Sequence, residues 1–121
     1  MAISRCDSAG FRILLGLALL TATWLALNPR PVALPPIPQA DKWAHLASYL
    51  LLAFLADASW PARGFDATKW GALLGYGLSI ELLQTQIATR MFSTADLVAN
   101  ALGLLLYGLF LLPLLRRRGI R

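Results

Sequence analysis

Four apolar runs, each closed by proline, glycine or charge, leave this chain very few folds to choose from. They cover residues 13–27, 43–56, 70–83 (extending to about 87) and 97–115. Only 14% of the 121 residues are charged, and mean hydropathy is +0.62. A soluble domain carries about a quarter charged residues, so the deficit points to lipid as the solvent. A membrane-crossing helix takes about 20 residues. The uncharged cores of the two middle runs are shorter than that. They reach it only with flanking polar residues at the interface, where Trp43, Trp60 and Trp70 stand as interfacial aromatics do. The expected fold is all-α: an integral membrane bundle of four transmembrane helices at about 12–28, 42–58, 68–87 and 94–115, forming one domain over 1–121. Re-entrant second and third helices are the alternative.

Arg5 and Arg12 ahead of the first run give it the look of a signal peptide. No small-x-small cleavage site ends the run, so an uncleaved first helix is expected. Five prolines between Pro29 and Pro38 then predict an extended connector on the membrane surface. Cys6 is the only cysteine, so no intrachain disulfide can form, and it reads as an incidental cytoplasmic thiol.

The net charge of +5 comes from residues that flank the runs. No basic face interleaved with aromatics lies between them, so nucleic acid is not an expected partner. With four spans, one side holds Arg5, Arg12, Arg63, Lys69, Arg116, Arg117, Arg118 and Arg121, and the other only Arg30, Lys42 and Arg90. Lysine and arginine accumulate in cytoplasmic loops, so both termini are expected in the cytoplasm of a multi-pass inner-membrane protein. Gly71-x-x-x-Gly75-x-x-x-Ser79 and Ala99-x-x-x-Gly103 predict close helix approach, within the chain or with a second copy or partner.

Within this apolar frame three polar motifs remain: Asp41-Lys42-x-x-His45, Glu81-x-x-Gln84 and Asp96-x-x-x-Asn100. The topology brings all three, with Arg90 in the turn between the last two helices, to the outer leaflet. Spacings of three and four put each pair on one helix face. Facing inward, they would line one polar pocket. Each residue also has a structural reading. Asp41 can cap helix two, Lys42 can snorkel and His45 can pack. Ser93-x-x-Asp96 resembles a capping box, and Asn100 and Gln84 can join helices. Glu81 fits such readings least. It lies about five residues in from Gln86, roughly 7–8 Å deep at about 1.5 Å per residue, where a carboxylate needs a partner or a proton.

These residues also carry a resemblance. Asp41-Lys42-Trp43-Ala44-His45 resembles the opening motif of VanZ-like membrane proteins. Glu81-Leu82-Leu83-Gln84, Arg90, and Ser93-x-x-Asp96-x-x-x-Asn100-x-x-Gly103 resemble that family's second half, over roughly 41–107 together. The 84–90 turn departs from the aromatic-and-proline turn common in relatives. The resemblance implies a small four-helix membrane protein of the bacterial cell envelope, related to a teicoplanin-resistance accessory protein. It implies no reaction.

The function expected from these residues, taken with what the resemblance implies, is binding of an anionic envelope lipid, a peptidoglycan precursor or a glycopeptide antibiotic. Its ligand set is Asp41, Lys42, His45, Glu81, Gln84, Arg90, Asp96 and Asn100, with Arg90 and Lys42 meeting phosphate or carboxylate. One alternative is a membrane enzyme acting on a lipid-linked substrate, with His45, Glu81 and Asp96 as acid–base candidates or, chemically, as holders of a divalent metal. Another is a non-catalytic assembly subunit joined through Gly71/Gly75. The chain carries no nucleophile elbow, phosphatase signature or metal-ligand motif, and indicates no cofactor.

Overall fold

The computed structural model describes residues 3–31 and 33–121, without the side chains of Arg5 and Cys6. The expectations for those two side chains therefore lie outside the described residues. The described residues form helices and no strands: α1 (Arg5–Leu27), α2 (Ala40–Ser59), α3 (Ala67–Gln84) and α4 (Thr94–Leu106). A π-helical turn (Tyr107–Leu111) carries α4 into α5 (Leu112–Arg117), making one long rod.

Local chemistry sets the boundaries. α1 starts seven residues before the expected 12 because Ser4 and Asp7 form a complete capping box. Arg12 thus lies inside the helix. Its Nε donates to the Ser59 carbonyl (2.9 Å), and its guanidinium stacks 5.2 Å from the Trp60 ring centre. Asp66 caps α3 by accepting from the Thr68 and Lys69 amides, and its hydrogen bond from Arg63 holds its carboxyl below the usual range. α3 stops at Gln84, short of the expected 87. There the chain tightens into turns in which Thr85, Gln86 and Ile87 donate to the carbonyls three residues back. The π turn precedes Pro113, which has no N–H for the carbonyl a turn earlier. Widening the helix there accommodates the proline ring.

The helices run alternately up and down. Both ends of the chain therefore meet at one end of the bundle, where the Ile3 amide donates to the Ile120 carbonyl (3.2 Å). α2 is the central helix, packed mainly on α4 and α1. Its small buried residues Ala53, Ala56 and Ala58 allow this. Gly103 marks the α2–α4 crossing: a Cβ there would sit 2.5 Å from the Leu46 carbonyl oxygen and 3.1 Å from the Leu50 amide. Gly77 is likewise covered by Tyr49 and Asn100, whereas Gly71 and Gly75 have nothing within 4 Å. Within the chain, close approach therefore falls on Gly103 and Gly77. The Gly71/Gly75 stripe faces outward.

Polar side chains share the apolar interior, while large apolar ones face outward. The largest fully buried side chains are Tyr107, Glu81, Asp57 and Ser59. Leu17, Leu20, Trp24, Leu109 and Phe110 are each more than half exposed. Among the described residues, two helices are long and apolar enough to cross a membrane: Asp7–Leu27 of α1 and the α4–α5 rod, Thr94–Arg117.

Candidate functional site

The end of the bundle opposite the termini gathers polar side chains from α2, α3 and α4. Asp41 and Lys42 lie in the first turn of α2. Asp41 is not its N-cap. That position belongs to Gln39, which sits in the left-handed region (φ 60°) and makes no side-chain cap bond. Asp41 instead places its charge beside the positive helix end and pairs with Lys42. Lys42 Nζ donates to both Asp41 Oδ2 and Asp96 Oδ1, each at 2.5 Å, and so ties α2 to α4. One turn further along, His45 Nε2 lies 3.4 Å from Asp96 Oδ2.

Asp96 is available for these contacts because its capping box is only half made. Ser93 Oγ accepts from the Asp96 amide (3.2 Å), as a box requires. The return bond, from the Ser93 amide to the Asp96 carboxylate, is not formed. The Ser93 amide donates instead to Glu81 Oε2 of α3 (2.9 Å). In the α1 box, by contrast, Asp7 closes both bonds with Ser4. A carboxylate from a neighbouring helix has replaced the local one, and Asp96 turns to Lys42 and His45.

Glu81 is fully buried, and its Oε1 has no hydrogen-bond partner among the described residues. One ligating atom from each of His45, Glu81 and Asp96 lies within 4.8 Å of the other two. Asn100, one turn below Asp96, packs its amide nitrogen against Gly77, and its Oδ1 is also buried without a partner. Buried polar atoms without partners are rare and call for a cause. Asp41, His45 and Lys42 keep 54%, 30% and 26% of their side chains exposed, whereas Glu81 and Asp96 are buried.

Two expected members of this group lie elsewhere. Gln84 Nε2 donates to the Ala26 carbonyl (2.8 Å). The Arg90 guanidinium donates to the carbonyls of Asn28 (3.0 and 3.1 Å) and Leu25 (2.8 Å). Thr89 reaches Pro29 in the same way. Together these side chains satisfy the carbonyls left open at the C-terminus of α1. The physical reason is non-local: the proline-rich connector brings α1's end beside the 84–90 turn, and open carbonyls are strong acceptors.

A second polar cluster, which the sequence did not single out, lies at the termini's end. Fully buried Asp57 accepts from Lys69 Nζ (2.8 Å), Tyr107 Oη (2.5 Å) and Arg121 (2.9 and 3.0 Å). Lys69 also donates to the carbonyls of Trp60 and Arg63, and Arg121 to those of Pro61 and Arg63. The available signal was the opposite charge of Asp57 and Lys69 on the two sides of one short loop. Nothing local announces Tyr107 or Arg121.

Fold and site together define a helical bundle with two helices fit to cross a membrane and a polar cluster of three chemistry-bearing side chains at one end. No protein-family model, curated protein or solved structure matches this chain.

Proposed function

We propose that this is a VanZ-like multi-pass membrane protein of the bacterial cell envelope, with four spanning helices and cytoplasmic termini. In this reading its outer-leaflet polar site binds the headgroup of an envelope lipid, a lipid-linked precursor or a glycopeptide. The observation that carries the reading is the far-end cluster, in which three helices assemble Lys42, His45, Glu81 and Asp96 and leave a Glu81 oxygen without a partner. The apolar exterior of α1 and of the α4–α5 rod supports lipid as its surroundings.

The pairing pattern shifts the ligand chemistry. Arg90, the guanidinium expected to meet phosphate, is engaged on α1. Among the described residues, the ion-pair partners of Asp41 and Asp96 are Lys42 and His45, and Glu81 has none. An acceptor-rich site of this kind favours a headgroup that presents hydroxyl or amine donors over bare phosphate. The test is lipid retention in nanodiscs, read by mass spectrometry, for wild type, Glu81→Gln, Lys42→Ala and Arg90→Ala. Loss of a retained lipid in the first two variants, with retention in Arg90→Ala, is the expected result. Unchanged retention in both Glu81→Gln and Lys42→Ala overturns the reading.

A second reading has its own support. The His45–Asp96 contact at 3.4 Å is an imidazole–carboxylate pair of the kind used for acid–base work, so the same site could modify the lipid it holds. Retention without turnover in His45→Ala would mark an enzyme. The outward-facing Gly71/Gly75 stripe is the place for a second copy or partner helix.

A further inference from the structure

Glu81 and Asp96 are each anchored through one oxygen. Asp96 Oδ1 is held by Lys42, and its Oδ2 faces His45 Nε2 at 3.4 Å. Glu81 Oε2 is held by the Ser93 amide, and its buried Oε1 has no hydrogen-bond partner among the described residues. Glu81 and Asp96 are both buried, and among the described residues the ammonium beside them is that of Lys42, which bonds Asp96 and is shared with the exposed Asp41. Carboxylates brought together in a buried site need a proton or a cation between them.

The His45–Asp96 spacing suits a cation. A separation of 3.4 Å is the edge of a tetrahedron whose centre lies about 2.1 Å from each corner, the length of zinc bonds to imidazole nitrogen and carboxylate oxygen. The third ligating atom, from Glu81, lies within the 4.8 Å that encloses the set. We infer that His45, Glu81 and Asp96 form a divalent-cation site of the zinc class, with three protein ligands and a fourth position open toward the exposed rim. This rests on reading the far-end cluster as a binding site. Lys42 on the outer oxygen of Asp96 and the Ser93 amide on that of Glu81 orient both ligands, as such partners do in metal sites. The cation supplies the positive charge that Arg90, turned to α1, does not. Its fourth position takes a water or an oxygen of the headgroup.

The test uses the full chain in nanodiscs, purified through a histidine-free tag, stripped with a chelator and titrated with Zn²⁺ and with Co²⁺. One equivalent per chain is expected, with a tetrahedral-type cobalt spectrum. Binding should weaken by about a hundredfold or more in His45→Ala and Glu81→Gln, at or beyond the loss seen when only a ligand's supporting partner is removed. Glu81→Gln keeps an acceptor for the Ser93 amide, and a thermal melt checks that it folds; His45→Ala, at a partly exposed position, is the independent second variant. Binding of well under one equivalent overturns the inference, as does affinity unchanged in both variants. The first of these results is what a proton shared by Glu81 and Asp96 would produce. Lipid retention is read in the same preparations. Lipid held without metal removes the cation and leaves the headgroup reading; metal bound without lipid does the reverse.

Discussion

Asp57 and Glu81 are both fully buried carboxylates, at opposite ends of the same bundle, yet their surroundings differ in kind. Asp57 accepts from a lysine, an arginine and a tyrosine, and both of its oxygens are used. Glu81 accepts from one backbone amide and leaves its other oxygen without a partner. Satisfied buried networks hold a fold together. A buried group with spare capacity, beside a histidine and a second carboxylate in a partly exposed setting, has the character of a site. Burial alone would have ranked the two carboxylates equally; the partner inventory separates them.

The sharpest way to break this comparison is Asp57→Ala. It strips Lys69 and Arg121 of their carboxylate and should cost about 3–5 kcal/mol, as removal of one partner from a buried ion pair does. Thermal unfolding in detergent would read it, and a melt like wild type's would mean that the termini-end cluster holds nothing together. Next is Gly103→Ala, whose Cβ would press on α2 backbone at Leu46 and Leu50. Its expected cost is about 1–3 kcal/mol, whereas Gly75→Ala on the open face should be nearly neutral. Equal melts for the two would remove the α2–α4 crossing from the account.

Arg90→Ala should lower stability by about 1–2 kcal/mol through α1's uncapped carbonyls, while site ligands bind as before. A loss of binding without a loss of stability would return Arg90 to the site. Glu81→Gln should change stability less, by roughly 1 kcal/mol or less, because it keeps the acceptor for Ser93 and removes a buried charge. A large destabilisation would make Glu81 a second Asp57 and erase the difference between the two ends. The smallest effect concerns acid. Arg63 lowers the folded-state pKa of Asp66, so its charge stabilises α3 at neutral pH, and that contribution fades as pH falls below the ordinary 3.8. Asp66→Asn should lower the neutral plateau of a pH-dependent melt slightly and flatten its acid limb, because the contribution it removes is present only above the ordinary carboxylate range.

The two Ser-x-x-Asp motifs show how far local sequence reaches. Ser4-x-x-Asp7 folds as a complete capping box; Ser93-x-x-Asp96 does not, because Glu81 of another helix takes the Ser93 amide. The pattern marked a helix start in both places. Which carboxylate closes the box depends on a residue 12 positions away that packing brings alongside.

What the sequence determined by itself was helix order and the end of the bundle at which each polar group lies. Apolar runs and their breaks are local properties, and alternating direction follows from short connections. Asp41, Lys42, His45, Glu81, Asp96 and Asn100 could therefore be placed at one end before any coordinates. What only the tertiary structure decided was which face each helix turns and which partner each charge finds. Gln84 and Arg90 lie at the expected end of the bundle but turn to α1, whose open carbonyls compete for donors. Asp57, Lys69, Tyr107 and Arg121 looked like loop, flank or packing residues and form a buried network. Position along the bundle follows from a one-dimensional count, but pairing depends on helix rotation and on contacts between residues far apart in the chain, such as Leu25 and Arg90, 65 positions apart.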